Sequence, residues 1–198
     1  MKEKELFEFL ESIVNLKLTA RTGWIGRKVP KPLETIASHS FGVVLISWIL
    51  AEGKKVDKDK IIKMALIHDL AEAYCGDITA YAEKYSIEMG LEEKILKDKK
   101  KVERSVLKRV IKPLDENLQK QITRLFNEFE EQKTQEAKIV YLADKIDELF
   151  QVFYYRKAGG GKRLKEFYDW FKRHKIFNKN LPEKFFKYVM VKDSKLSK

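Results

Sequence analysis

The 198-residue chain carries 41 Lys and Arg against 30 Asp and Glu, a net charge of +11, with 44% hydrophobic residues and one cysteine. This balance is that of a globular domain large enough to bury a core unaided, and it excludes a disordered chain, a disulfide framework and a thiolate zinc site. The excess of positive charge suits polyanions and phosphate-bearing small molecules equally, so charge does not choose between them.

Along the chain, Leu6, Phe7, Leu10, Ile13, Val14 and Leu18 recur at three- and four-residue steps, the pattern of a first helix. Residues 19–34, "TARTGWIGRKVPKPLE", contain two glycines and two prolines and read as a loop. Thr35 is placed to cap a second helix running through "SHSFGVVLISWILA" to about Gly53. Asp57 or Asp59 can start a third, expected to end at Cys75 with Gly76 as its left-handed stop. Helical patterns follow over about 91–112 and 115–131, separated by Pro113. A long helix begins after Thr134 and runs to about Ala158, where the glycines at 159–161 end it. Two aromatic-rich helices, near 163–175 and 182–191, complete the pattern, and the tail "VKDSKLSK" is expected to fray.

No segment alternates in the manner of strands, and no repeat or low-complexity linker divides the chain. The expectation is an all-α single domain over 1–198, with a core of about 4–175 and a helical extension of about 176–191. The charged, amphipathic start and the lack of a long apolar run point to a soluble cytoplasmic protein without membrane attachment. The single Cys75 fits a reducing compartment.

Two of the three histidines and two aspartates fall at inward positions of three predicted helices. His39 has Ile36, Gly42, Val43 and Ile46 as helical neighbours, so its ring is expected to point inward. His68 and Asp69 lie in "ALIHDLAEAYCGDIT", with Glu72 one turn on and small alanines at 65, 71 and 73 leaving room beside them. Asp144 sits in the apolar surroundings of "IVYLADKIDELF", where an unpaired carboxylate would cost several kcal/mol, on the order of the penalty for burying any unpaired polar group. Singly, each has an ordinary reading: a satisfied core histidine, an aspartate paired with a lysine, a solvent-facing Glu72, a turn residue at Asp77. Together, imidazole nitrogens and carboxylate oxygens make a mixed site for a divalent ion such as Mn, Co, Fe, Ni or Zn.

The segments "LKLTARTGWIGRKVPKPLETIASHS", "ALIHDLAEAYCGDIT" and "EAKIVYLADKIDELFQ" resemble the metal-dependent phosphohydrolases named for their His-Asp doublet, the HD-domain proteins, and within them the 5'-deoxynucleotidase group. The resemblance spans roughly residues 4–175. It implies a single HD-domain helical bundle with His39, His68, Asp69 and Asp144 as metal ligands, and a homodimer, as in relatives. The aromatic helices near 163–191, expected to expose more apolar surface than a small domain needs, agree with a dimer. One departure stands out: relatives usually carry an acidic residue just before the first histidine, and here it is Ser38, which removes a possible partner of the His39 ring.

The reaction implied is removal of the 5'-phosphate from deoxyribonucleoside 5'-monophosphates by water activated at a divalent ion. Glu72 is expected to position and deprotonate that water, and Asp77 to approach the leaving oxygen or the sugar. Glu72, Asp77 and the Ile78 carbonyl offer an alternative: oxygen ligands for a second, looser cation such as Mg. Arg21 matches the family's phosphate-contacting arginine, with Arg27 as substitute, while Trp24, Asp69, Asp77 and Thr79 complete the expected substrate contacts. His174, in the basic stretch "FKRHKIF", lies outside any ligand pattern, which argues against the dinuclear phosphodiesterases. The runner-up is another HD-type hydrolysis, of an alarmone or a cyclic nucleotide. Nucleic-acid binding is the lesser reading, since no such motif accompanies the basic runs.

Overall fold

The computed structural model describes residues 2–25, 27–75, 92–177 and 180–197. Helix α1 covers Glu3–Leu18 and α2 covers Ile36–Ala51, where Thr35 accepts from the Ser38 amide and the Ser38 hydroxyl accepts from the Thr35 amide, a closed capping box. The loop between them is drawn together at its ends: the Arg21 amide donates to the Glu34 carbonyl and the Ile36 amide to the Thr19 carbonyl. Ala20 and Thr35 thus form an isolated antiparallel bridge, and among the described residues there is no longer strand.

Helix α3 spans Lys58–Ile67, with Asp57 accepting from the Lys60 amide. It stops at Ile67, not at Cys75 as the apolar periodicity predicts, and a short α4, Glu72–Cys75, follows a tight turn. The reason is local. The Ala65 carbonyl, which would accept from the Asp69 amide in a continuing helix, lies 2.8 Å from the His68 ring Nδ1, and the turn closes with three-residue bonds from Leu70 to Ile67 and from Glu72 to Asp69. Gly76, the expected stop, lies outside the described residues.

Helix α5 covers Glu92–Ile111, α6 Glu116–Glu131 and α7 Gln135–Lys157, each of the last two capped by the residue before it, Asp115 and Thr134. Gly159, at a φ of 88°, permits the reversal after α7 that a side chain would strain. Helices α8, Lys165–Arg173, and α9, Asn180–Ser194, close the fold.

Two apolar clusters fill the interior. One joins α2, α3, α5, α6 and the first half of α7, through residues such as Val43, Met64, Val110, Phe126 and Val140. The other joins Trp24, the second half of α7, α8 and α9, through Leu149, Tyr168, Phe171 and Phe186. The polar stretch Asp144–Glu148 falls where α7 passes from one cluster to the other, so its carboxylates stand at the junction of the two.

Three expectations change. In α1 the inward residues are Phe9, Ser12, Ile13 and Leu16, while Phe7, Leu10, Val14 and Leu18 are exposed, because the apolar positions exceed one face. Of the aromatics of α8 and α9 and the segment between them, Tyr168, Phe171, Phe177 and Phe186 are buried while Tyr188 is exposed, and further apolar surface lies on α1 and on Phe41, Leu45, Trp48 and Ile49 of α2. The tail keeps its helix to Ser194. Asp193 is 3% exposed and accepts from Arg156, with an Nη2 to Oδ2 distance of 2.8 Å, and from the Tyr168 hydroxyl at 3.1 Å. That buried anchor opposes fraying.

Candidate active site

The first turn of α2, the turn after α3 and the junction point of α7 bring His39, His68, Asp69 and Asp144 together. His39 Nε2 lies 3.2 Å from Asp144 Oδ1 and 3.7 Å from Asp69 Oδ2, and His68 Nε2 lies 3.3 Å from the same Asp69 oxygen. The two imidazoles are 5.5 Å apart, centre to centre. Both rings are tied at Nδ1. His39 donates to Asp147 Oδ2 over 2.7 Å and His68 to the Ala65 carbonyl over 2.8 Å, since neither oxygen can do other than accept. Each Nε2 is therefore directed at the carboxylates, buried and without a hydrogen bond of good geometry. Leaving two such nitrogens unsatisfied would cost about 1–3 kcal/mol each.

This donor set suits a divalent ion of intermediate softness: two imidazole nitrogens whose rings are fixed through Nδ1, converging with carboxylate oxygens. His39, His68 and Asp69 have their ligand atoms within 4.8 Å of one another. Asp144 joins through His39.

The electrostatics are strong. Burial and the charge of Arg21 oppose protonation of His39, but the carboxylates of Asp144 and Asp147 beside its two ring nitrogens outweigh them, and its pKa is pushed up to about 9. Burial works against the charge on Asp144, yet Lys145, His39 and His68 hold its carboxyl well below the usual range. Lys145 is itself buried, and the carboxylates of Asp144 and Glu148, at 3.2 and 3.1 Å, overcome that burial to raise its pKa.

Around this centre, Arg21 reaches Asp69 Oδ2 with Nη1 at 3.6 Å and Glu34 Oε2 with Nε at 3.8 Å. Glu72 is buried on α4, one turn beyond the doublet. Trp24 does not present its ring to a cleft. It is 2% exposed, packs edge-on to Tyr155 and against Phe167, and donates its indole N–H to Glu34 over 2.7 Å. Arg27 is likewise committed elsewhere: it donates to the Gly23 carbonyl, pairs with Glu166 at 3.7 Å and lies over the Phe167 ring. His174 is exposed and stacked on Trp170, and its Nδ1 lies 3.0 Å from the Trp170 carbonyl. Asp77, Ile78 and Thr79 lie outside the described residues.

Three residues of the site go unmarked in the sequence reading. Glu34, whose carboxyl burial pushes up against the pull of His39 and Arg21, receives the indole of Trp24. Asp147 holds the His39 ring, and Lys145 holds Asp144. A signal exists for Asp147: it follows Asp144 by three residues, one turn along the same face of α7.

Comparison with known proteins agrees with this geometry. Residues 13–184 match the family described as HD domain. The 5'-deoxynucleotidase HDDC2 of Xenopus laevis is 34% identical over 169 residues, covering 84% of this chain and 77% of that protein. The 5'-deoxynucleotidase hdd1 of Schizosaccharomyces pombe is 34% identical over 168 residues, covering 84% and 80%. Among solved structures, the PH0347 protein of Pyrococcus horikoshii OT3 superposes with a TM-score of 0.70 at 32% identity, over 96% of this chain and 99% of that one.

Proposed function

This chain belongs to the HD-domain family, and on that premise we propose that it is a metal-dependent 5'-deoxynucleotidase, releasing phosphate from deoxyribonucleoside 5'-monophosphates. The observation that carries the reading is the pair of buried Nε2 nitrogens, on His39 and His68, converging on Asp69 and Asp144.

His39, His68, Asp69 and Asp144 would hold the ion, with Mn, Co, Mg, Fe, Ni and Zn as candidates. A divalent ion bound there supplies positive charge for the phosphoryl oxygens and lowers the pKa of a water toward neutrality. The remaining work falls to side chains. Glu72 orients the attacking water and takes its proton as the new P–O bond forms. Arg21 meets the phosphate, a guanidinium being suited to two oxygens at once. Asp77 is assigned the proton for the departing 5'-oxygen, and Thr79 and Asp69 are assigned contacts to the nucleotide. The alternative use of Glu72, Asp77 and the Ile78 carbonyl, as oxygen ligands of a second cation, falls on Asp77 and Ile78, which lie outside the described residues. Trp24 acts on the substrate only through Glu34 and Arg21.

A homodimer in the cytoplasm fits the same reading. Its support is the pair of exposed apolar stripes, Phe7, Leu10, Val14 and Leu18 on α1 and Phe41, Leu45, Trp48 and Ile49 on α2, together with a lone cysteine. No helix of the described residues is long and apolar enough to cross a membrane.

The deciding experiment measures phosphate release from matched deoxy- and ribonucleoside 5'-monophosphates by metal-stripped protein reconstituted separately with Mn, Co, Mg and Zn. Metal-dependent release from the deoxy substrates, lost in Asp69→Ala, is the expected result. No release with any of these ions would overturn the assignment and turn attention to alarmones and cyclic nucleotides.

A further inference from the structure

We infer that Asp147 is a positioning residue for the metal centre, and that Gly42 is glycine so that Asp147 can reach it. The inference rests on the metal-dependent reading above and adds to it a second pair of residues, one from each of the two helices that face each other behind His39.

The local geometry is specific. His39 and Gly42 are three residues apart on α2, on one face of that helix, and Asp144 and Asp147 are three apart on α7. The upper members make the Nε2 to Oδ1 approach inside the site, at 3.2 Å. The lower members make a second contact behind it. A methyl group placed on Gly42 would collide with Asp147 Oδ1 and stand 3.0 Å from its Cγ. A glycine in the interior of a helix is destabilising relative to alanine, so the position calls for a reason. The reason is the carboxylate that occupies the notch: with Oδ1 seated against Gly42, Oδ2 lies 2.7 Å from His39 Nδ1.

The chemical consequence follows from the two ring nitrogens being distinct. A carboxylate can only accept, so Asp147 keeps the proton of a neutral imidazole on Nδ1 and leaves the Nε2 lone pair for a metal ion. It also fixes the ring plane and raises its basicity as a ligand. Asp147 thereby takes the place that Ser38, engaged in the helix cap, does not fill. Glu34, the other carboxylate near His39 Nδ1, is occupied by the Trp24 indole and by Arg21. The Glu34, His39 and Asp147 group is thus a support whose members are already partnered.

The test is a titration of metal-stripped wild type, Asp147→Asn, Gly42→Ala and the double variant with Co²⁺, followed by visible absorption, beside melting of the metal-free proteins. Co²⁺ affinity is expected to fall 10- to 100-fold in each single variant, the range typical when a ligand's supporting carboxylate is lost. The double variant should fall no further than the worse single one, because both changes remove the same contact. The metal-free melting temperatures should fall by less than the loss of Co²⁺ affinity corresponds to, the part due to the His39 charge being the share of Asp147→Asn. Affinity within twofold of wild type in both single variants would overturn the inference, and so would a loss of affinity matched by equal thermal destabilisation in both, which would assign the contact to packing. Failure of wild type itself to take up Co²⁺ would instead overturn the metal-dependent reading.

Discussion

Lys145 Nζ lies 3.2 Å from Asp144 Oδ2, so the carboxylate that faces His39 with one oxygen is held through the other by its own chain neighbour. Both residues are mostly buried, and Glu148 completes the pair from the next turn at 3.1 Å. Lys145 therefore balances the negative charge that the site carries when no ion is bound.

Replacing Lys145 by Met removes that balance while keeping most of the side-chain volume. The metal-free protein should lose about 2–4 kcal/mol of stability, as expected when one partner of a buried pair is deleted. The metal-loaded protein should lose distinctly less, because the ion supplies positive charge beside Asp144. Denaturant titrations of both forms check the difference, and equal losses would refute the balancing role.

The His39 shift fixes the sign of a pH effect. Its folded pKa, about 9, stands above its ordinary value of 6.5, so the metal-free protein gains stability from this group that is complete below about 6.5 and fades as pH rises through about 9. A metal ion competes with the Nε2 proton. Affinity should therefore climb with pH toward 9, with proton release on binding, which calorimetry in buffers of different ionisation enthalpy measures directly.

Glu72→Gln keeps the shape of the buried side chain but cannot accept a proton. Turnover should fall about 10²- to 10⁴-fold, the usual range for removal of a general base. Metal content should remain at the wild-type level, since Glu72 is not among the four proposed ligands. Steady-state kinetics with metal analysis of the same samples tests both halves.

Asp193→Ala strips Arg156 and Tyr168 of a buried acceptor at the end of α9. A loss of about 3–5 kcal/mol is expected from the broken buried pair, without change in turnover at temperatures where the protein stays folded. Chemical denaturation and kinetics on one preparation distinguish this from any direct role in the reaction.

The helices are legible in the sequence wherever a cap and a stop bracket an apolar repeat, as with Thr35, Asp115 and Thr134. The break at His68 is not, because Leu70 and Ala71 continue the apolar pattern past it and only the folded ring takes up the Ala65 carbonyl. Among the site residues, the His-Asp doublet and Asp144 are marked by polarity in apolar surroundings. Asp147, Glu34 and Lys145 are not: charged residues of these types are ordinarily solvent-facing, and their burial follows from how α2 and α7 approach one another. Trp24 is a different case. A tryptophan in such a loop can pack against a sugar or serve as apolar cover, and the fold buries this one against Phe167 and Tyr155.

The hydrogen bond from His39 to Asp147 joins positions 108 residues apart in the chain. With the proposed ligands drawn from α2, the turn after α3 and α7, a bound ion would be a reversible cross-link between distant parts of the polypeptide. Because the unfolded chain offers no such cluster, free metal in excess raises the unfolding free energy in proportion to the logarithm of its concentration over the dissociation constant. Shelf life and resistance to proteolysis should accordingly be set by the metal content of the buffer as much as by the protein's own packing.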